Sequence, residues 1–272
     1  MPEPAPRVFV VGLGRVGAAL LPALKAAGVA CEGEDRPPAV GGPFPADVVV
    51  LAVPDTAIAE VGTQLADAGR LTPAQAVVHC AGAHPAGEVL GALRGRVRAV
   101  GTLHPLRAFP GGPVPMRGIA FGLEGDADAV AAGRAIVARL GGIPLVMDAA
   151  ALPLYHAAAV MASNYLVALC DAAAALLDRA SPGAPPLPSL LPLMASALGA
   201  LQRDGLPGAL TGPLARGDAA TVRAHLEALA AHAPELLPLY RACGLRAADL
   251  AERQGHADPV GLAAARRALS EV

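Results

Sequence analysis

The sequence predicts an α/β chain, with an N-terminal doubly wound parallel sheet over residues 1–149 and an all-α C-terminal domain over residues 150–272. Three observations lead there. At 272 residues the chain is long enough for two modest domains. Its first half alternates valine-rich runs with glycine and proline, as at residues 8–12, 48–53 and 76–81, whereas its second half is alanine- and leucine-rich at helical spacing. A strand signal also runs straight into a glycine corner that opens a helix.

Residues 7–12 (RVFVVG) read as a buried parallel strand, and Gly12-Leu13-Gly14-Arg15-Val16-Gly17 then opens an apolar helix through Ala26. A second strand is expected at residues 29–34, followed by a proline- and glycine-rich loop over 35–46 that cannot make a crossover helix. Residues 47–53 form the next strand and 56–68 a helix. Strands at 76–80, 98–103, 118–122 and 144–147, with a helix at 127–140, complete the sheet. Strands alternating with helices imply the parallel, doubly wound arrangement. After Asp148 the strand signals stop. One long helix is expected over residues 153–180, buried as a core helix, then a proline-rich loop over 181–188. Further helices are expected at 189–202, 219–231, 235–242, 247–254 and 259–269, and no internal repeat is present.

Composition excludes several functions. The hydrophobic share is 54%, but much of it is alanine, and His156, Ser163, Asn164 and Asp171 interrupt the most apolar stretch, so no membrane association is expected. The first strand begins too early to leave room for a signal peptide, and the scattered cysteines fit a reducing cytoplasm, where the protein is expected. Cys31, Cys80, Cys170 and Cys243 form no CxxC pair, and the histidines show no ligand spacing, so neither a disulfide framework nor a metal site is expected. A net charge of −2 and 3% aromatic residues give no support to nucleic-acid binding. Lys25 is the only lysine.

The glycine corner is the strongest chemical signal. Gly12 suits a tight turn, Gly14 lets a pyrophosphate approach the backbone, and Gly17 lets helix and strand pack closely, which is the Rossmann pattern for dinucleotides. After the second strand, Glu32, Glu34 and Asp35 would favour NAD through the ribose hydroxyl, whereas Arg36, with Arg15, would pair with the 2′-phosphate of NADP. The arginines favour NADP, with NAD as the alternative. Ala52, Val53 and Pro54 end one strand where ligands collect in open sheets, and Cys80 and Gly82 occupy the same rim one strand further on. Cys80 reads as a packing residue.

With residues 103–110 (LHPLRAFP), 155–165 (YHAAAVMASNY) and 211–218 (TGPLARGD), the chain resembles Rossmann-like proteins with a C-terminal helical domain of unknown function. These are relatives of the ketopantoate, pyrroline-5-carboxylate and prephenate-type nicotinamide enzymes. The resemblance implies a 6-phosphogluconate-dehydrogenase-like architecture, a homodimer through the helical domain, a small-molecule substrate between the domains, and NADP.

Hydride transfer to a carbonyl or imine needs a donor that neutralises the developing charge. Many relatives use a lysine on the first long helix of the second domain, and this chain has none there. His104, at a strand end where prephenate-type relatives place a His-Pro, and His156 and Asn164, on the long helix, are the catalytic candidates. Helical spacing puts His156, Ser163 and Asn164 on one side, with Ser163 toward substrate. The alternative is a buried network joining the domains, and for His104 a strand-end histidine bonded to backbone. Arg107 and Arg216 are candidates to hold a substrate carboxylate. Asp218 reads as a helix N-cap. These readings point to an NADPH-dependent reductase of a small keto acid, ketopantoate in particular, or of an imine. A non-catalytic NADP sensor is the alternative.

Overall fold

The computed structural model describes residues 5–36, 41–112 and 114–271, and the chain divides into two compact units, Met1–Asn164 and Tyr165–Val272. Part of the loop expected at 35–46, residues 37–40, lies outside the described residues.

The first unit is built on a seven-stranded sheet. Its elements are β1 (Val8–Val11), α1 (Gly17–Ala26), β2 (Cys31–Glu34), β3 (Val48–Leu51), α2 (Ile58–Asp67), β4 (Ala76–His79) and the short α3 (Ala86–Val89). They continue through β5 (Ala99–Pro105), β6 (Ala120–Gly125), α4 (Ala127–Leu140), β7 (Ile143–Val146) and α5 (Leu152–Ala162). The strand order is β2-β1-β3-β4-β5-β6-β7. The chain therefore leaves β1 for one edge and returns to its other side at β3, which makes the β1/β3 carboxyl ends the switch point where such sheets bind ligands.

All strand pairs are parallel except β5 with β6, which are antiparallel. The described residues between them, 106–112 and 114–119, contain no helix, so no crossover helix is seen to return the chain to the starting end and β6 runs back alongside β5. Successive residues of β1 and β3 are buried on opposite faces. Val8, Val10, Val48 and Val50 pack with Leu20 and Leu24 of α1 and Ile136 of α4, and Phe9, Val11, Val49 and Leu51 pack with Ile58 and Leu65 of α2. Each such side chain contributes roughly 1.5–3 kcal/mol of burial, which is why these strands read as continuous apolar runs.

The second unit is all-α: α6 (Asn164–Ala180), which starts on the last residue of the first unit, α7 (Pro186–Gly208), α8 (Pro213–Arg216), α9 (Ala219–His232), α10 (Leu237–Gln254) and α11 (Pro259–Ser270). Non-helical dihedrals at Gly205 and Leu206 interrupt α7. The Asp218 side chain accepts from the Thr221 amide at 3.0 Å and caps α9, as expected. The two helices expected at 235–242 and 247–254 are one, α10, in which Gly244 is buried and leaves room for Leu269.

The long helix expected over residues 153–180 is broken. Ser163 takes φ −124 and ψ −71, ending α5 before α6 begins. Its hydroxyl donates to the Ala159 carbonyl four residues back at 2.7 Å, a bond that competes with the helical ladder. Nor is the stretch a core helix. Leu154 is 77% exposed, Met161 66% and Val167 70%. Among the described residues, Ala149–Ala180 is the one stretch long and apolar enough, by length and composition, to cross a membrane.

Candidate active site

The glycine corner is set by close backbone packing at the switch point. Gly12 has φ +91, and a Cβ there would stand 2.7 Å from the Ala52 carbonyl oxygen and 3.0 Å from Val53 Cγ1. A Cβ on Gly17 would run into the Gly12 carbonyl, so both positions exclude a side chain. Gly14 differs, because nothing lies within 4 Å of its absent Cβ and the space above it is open. The Ala52 amide donates to Val11 and the Gly12 amide to Glu34, each at 2.8 Å. Among the described residues, the Gly14, Arg15 and Val16 amides have no acceptor in the chain. Free amides at the start of a ten-residue helix, below an open space, fit a pyrophosphate. Leu13 is used differently, since its amide donates to Asp35 Oδ1 at 2.9 Å. Arg36 is exposed just after β2, and Pro54 is exposed just after Ala52 and Val53.

At the far end of β5, His104 is half-buried, with Gly82 on one side and Tyr155 of α5 on the other. A Cβ on Gly82 would lie 2.8–2.9 Å from three atoms of the His104 ring. A Cβ on Gly122 would lie 2.8 Å from both Cζ and the hydroxyl of Tyr155. Neither glycine has positive φ, so ring space and not backbone conformation requires them. His104 Nδ1 and the Tyr155 hydroxyl are 2.8 Å apart, with perpendicular rings. The His156 ring stands 6.5 Å from that of His104, centroid to centroid. Burial, with the nearby His156 imidazole adding, pushes the His104 pKa down to about 4, against the opposing pull of Asp55. Burial also pushes the Tyr155 hydroxyl up to about 12. Both side chains are therefore neutral at pH 7.

One cleft of about 1100 Å³ within the first unit is lined by Arg15 and Val16 of the glycine corner and by His104, Arg107, Tyr155 and His156. Ser163 and Asn164 complete its wall. Ser163 reaches it from the helix break and not from a continuous helical face, with Oγ 2.9 Å from Asn164 Oδ1. Arg107 is exposed and donates to the Pro115 carbonyl at 3.1 Å. Arg216 belongs to the second unit, where its carbonyl accepts from the Asp258 amide at 3.3 Å. Cys80 packs against the core, and burial lifts its thiol to about 12, so it is no nucleophile.

Behind His104 lies a row of buried polar side chains on three neighbouring strands. The Ala81 amide donates to His79 Nδ1 at 3.2 Å, which leaves the His79 proton on Nε2, 3.2 Å from Thr102 Oγ1. Thr102 donates to Glu124 Oε2 at 3.1 Å, and the same oxygen accepts from the Ala86 amide at 2.9 Å. The row thus holds both ends of the loop that carries Gly82. Sequence reasoning missed Tyr155, Gly122 and this row. Only the YH dipeptide beside His156 could have signalled the tyrosine.

Residues 119–247 match the family model described as Domain of unknown function (DUF2520). No curated protein matches the chain. Among solved structures, the chain is similar to a Thermotoga maritima protein, with 23% identity, TM-score 0.74, and coverage of 91% of this chain and 99% of that one. It is also similar to a Bacteroides fragilis protein named as a candidate NADP oxidoreductase, with 24% identity, TM-score 0.66, and coverage of 91% and 98%. An Aspergillus terreus imine reductase, in complex with NADPH4 and a dibenzazepine, aligns at 18% identity with TM-score 0.57 over 95% and 98%. These likenesses establish the fold as a Rossmann-type sheet followed by a helical C-terminal region.

Proposed function

We propose that the chain is an NAD(P)-dependent oxidoreductase that reduces a small keto acid, ketopantoate-like, or an imine, with NADPH as its preferred cofactor and NADH as the alternative. One observation carries the reading. A single cleft joins unpartnered amides at a glycine corner to a neutral histidine–tyrosine pair. The amides of Gly14, Arg15 and Val16 would hold the pyrophosphate, Ala52 and Val53 would pack against the dinucleotide, and Arg36 would reach a 2′-phosphate. When bound, the reduced nicotinamide supplies hydride. The chain's own part is to exclude water, to hold the substrate through Arg107, Ser163 and Asn164, and to neutralise charge on its oxygen or nitrogen through the groups around His104 and His156. The names of the Bacteroides fragilis and Aspergillus terreus proteins support the same class of reaction.

The active form proposed is a cytoplasmic homodimer. Within the second unit, Val167, Leu191 and Leu193 are 70%, 51% and 68% exposed and offer apolar surface that a second copy would cover.

The test is turnover of a panel of α-keto acids and cyclic imines with NADPH, followed at the nicotinamide absorbance. Wild type should oxidise NADPH only with substrate present, and His104→Ala and His156→Ala should lose that turnover while still binding NADPH. Full turnover in both variants would refute the roles given to these histidines.

A further inference from the structure

We propose that Tyr155, with His104 as its hydrogen-bond partner, is the catalytic residue that delivers the proton to the reduced substrate. This rests on the oxidoreductase reading and assigns the proton within it.

The geometry distinguishes the two side chains. The Tyr155 hydroxyl stands 2.8 Å from His104 Nδ1 and 3.5 Å from the His104 carbonyl oxygen. A hydroxyl has one proton, so both bonds form together only when Nδ1–H donates to the tyrosine oxygen and the tyrosine donates onward. The onward bond at 3.5 Å is long and weak, leaving the hydroxyl proton free to turn to a better acceptor in the cleft that Tyr155 lines. Gly82 and Gly122 lack the atoms that would displace either ring, so the fold reserves space for this pair on both sides. Burial keeps His104 a neutral imidazole at pH 7, and a neutral imidazole N–H is a far weaker acid than a phenol. The acidic hydrogen of the pair therefore lies on Tyr155.

With a keto substrate, the proton from Tyr155 ends on the substrate oxygen. The carbonyl carbon is reduced by the nicotinamide, which is oxidised, and the carbonyl π pair moves to oxygen. That oxygen forms an O–H bond as the Tyr155 O–H breaks, and the electron pair stays on the phenolate oxygen. His104 Nδ1–H holds the phenolate until solvent returns the proton. An alkoxide is more basic than a phenolate even with the Tyr155 hydroxyl at about 12, so the transfer runs downhill. The titratable groups around the pair are His156 of α5, His79 of β4, Asp55 beyond β3 and, at the far end of the buried row, Glu124 of β6.

Two measurements test this, one needing no cofactor. In the protein alone, 15N NMR should place the His104 proton on Nδ1, and Tyr155→Phe should abolish that hydrogen-bonded signal. A proton on Nε2 in the wild type would overturn the proposal. In turnover, Tyr155→Phe should lower kcat about 100-fold or more while NADPH still binds within threefold. Replacing Tyr155 with 3,5-difluorotyrosine should restore activity and bring a basic limb of the pH profile down toward neutrality, which a structural role would not do. Retention of more than a tenth of kcat by the phenylalanine variant, or an unmoved pH profile, would overturn the proposal. A wild type that reduces no substrate at all would sink the oxidoreductase reading itself, and the NMR result then judges the pair alone.

Discussion

His104 and Gly122 face each other across the antiparallel β5–β6 ladder, and the missing side chain of Gly122 is the space that Tyr155 occupies beside His104. The pairing of a strand-end histidine with a helix tyrosine thus depends on a residue that has no side chain of its own.

Gly122→Ala adds a methyl 2.8 Å from the Tyr155 ring, too close to be accommodated without moving it. The expected outcome is a stability loss of about 1–3 kcal/mol by chemical denaturation. Turnover should fall toward that of Tyr155→Phe, while NADPH affinity stays within threefold. Unchanged turnover would show that the pair's geometry is irrelevant to catalysis.

Gly12 and Gly14 should respond differently. Gly12→Ala forces a side chain into positive φ and against the Ala52 carbonyl, so it should destabilise the protein by roughly 1–3 kcal/mol and abolish dinucleotide binding. Gly14→Ala meets nothing within 4 Å, so it should leave the thermal midpoint within a degree or two and weaken binding about tenfold or more. Equal dinucleotide affinity in Gly14→Ala and wild type would mean that the open space is not a pyrophosphate site.

At the rim of the dinucleotide site, Asp35 and Arg36 oppose each other. Asp35 is fixed by the Leu13 amide at 2.9 Å, and Arg36 is exposed beside it. Arg36→Ala should weaken NADPH about tenfold, with little change for NADH. Asp35→Asn keeps a hydrogen-bond acceptor for Leu13 but removes the charge, so it should shift preference toward NADPH. Calorimetric titration of each variant with both cofactors decides the matter. Equal loss for both cofactors in Arg36→Ala would remove Arg36 from the 2′ position.

Stability should also depend on pH through His79. Burial lowers its pKa from 6.5 to about 4, so between these values the unfolded chain binds a proton that the folded one refuses. Stability is then full above pH 6.5 and is lost as pH falls toward 4, by about 3 kcal/mol for this one histidine. His104 adds a contribution of the same sign. Urea unfolding at several pH values should show this slope, and His79→Gln should flatten it. A wild type equally stable at pH 4 and pH 7 would contradict the buried neutral state.

The sheet, the glycine corner and the strand end at His104 were legible because each depends on local chemistry: unbroken valine runs, glycines at fixed spacing, and a histidine where a strand stops. The direction of β6 was not, because a strand buried on both faces reads alike in either direction, and the hint of its reversal lies in the connection to β5, whose described residues hold no helix. Nor was the break at Ser163, where apolar spacing continues across a side chain that turns back on its own helix. The exposure of Leu154 and Val167 was hidden for a related reason: helical periodicity shows an apolar face but not what covers it. Tyr155 was overlooked because its partner Gly122 becomes significant only through the β5–β6 register.

The most direct test follows the ring signals of His104 by NMR while NADPH is titrated into the cofactor-free protein. Since Arg15, Val16 and His104 line one cleft, saturation should displace the His104 signals together with the glycine-corner amides. If NADPH fails to bind, or binds and leaves the His104 signals where they were, the cleft does not join a dinucleotide to this histidine, and the functional account is wrong.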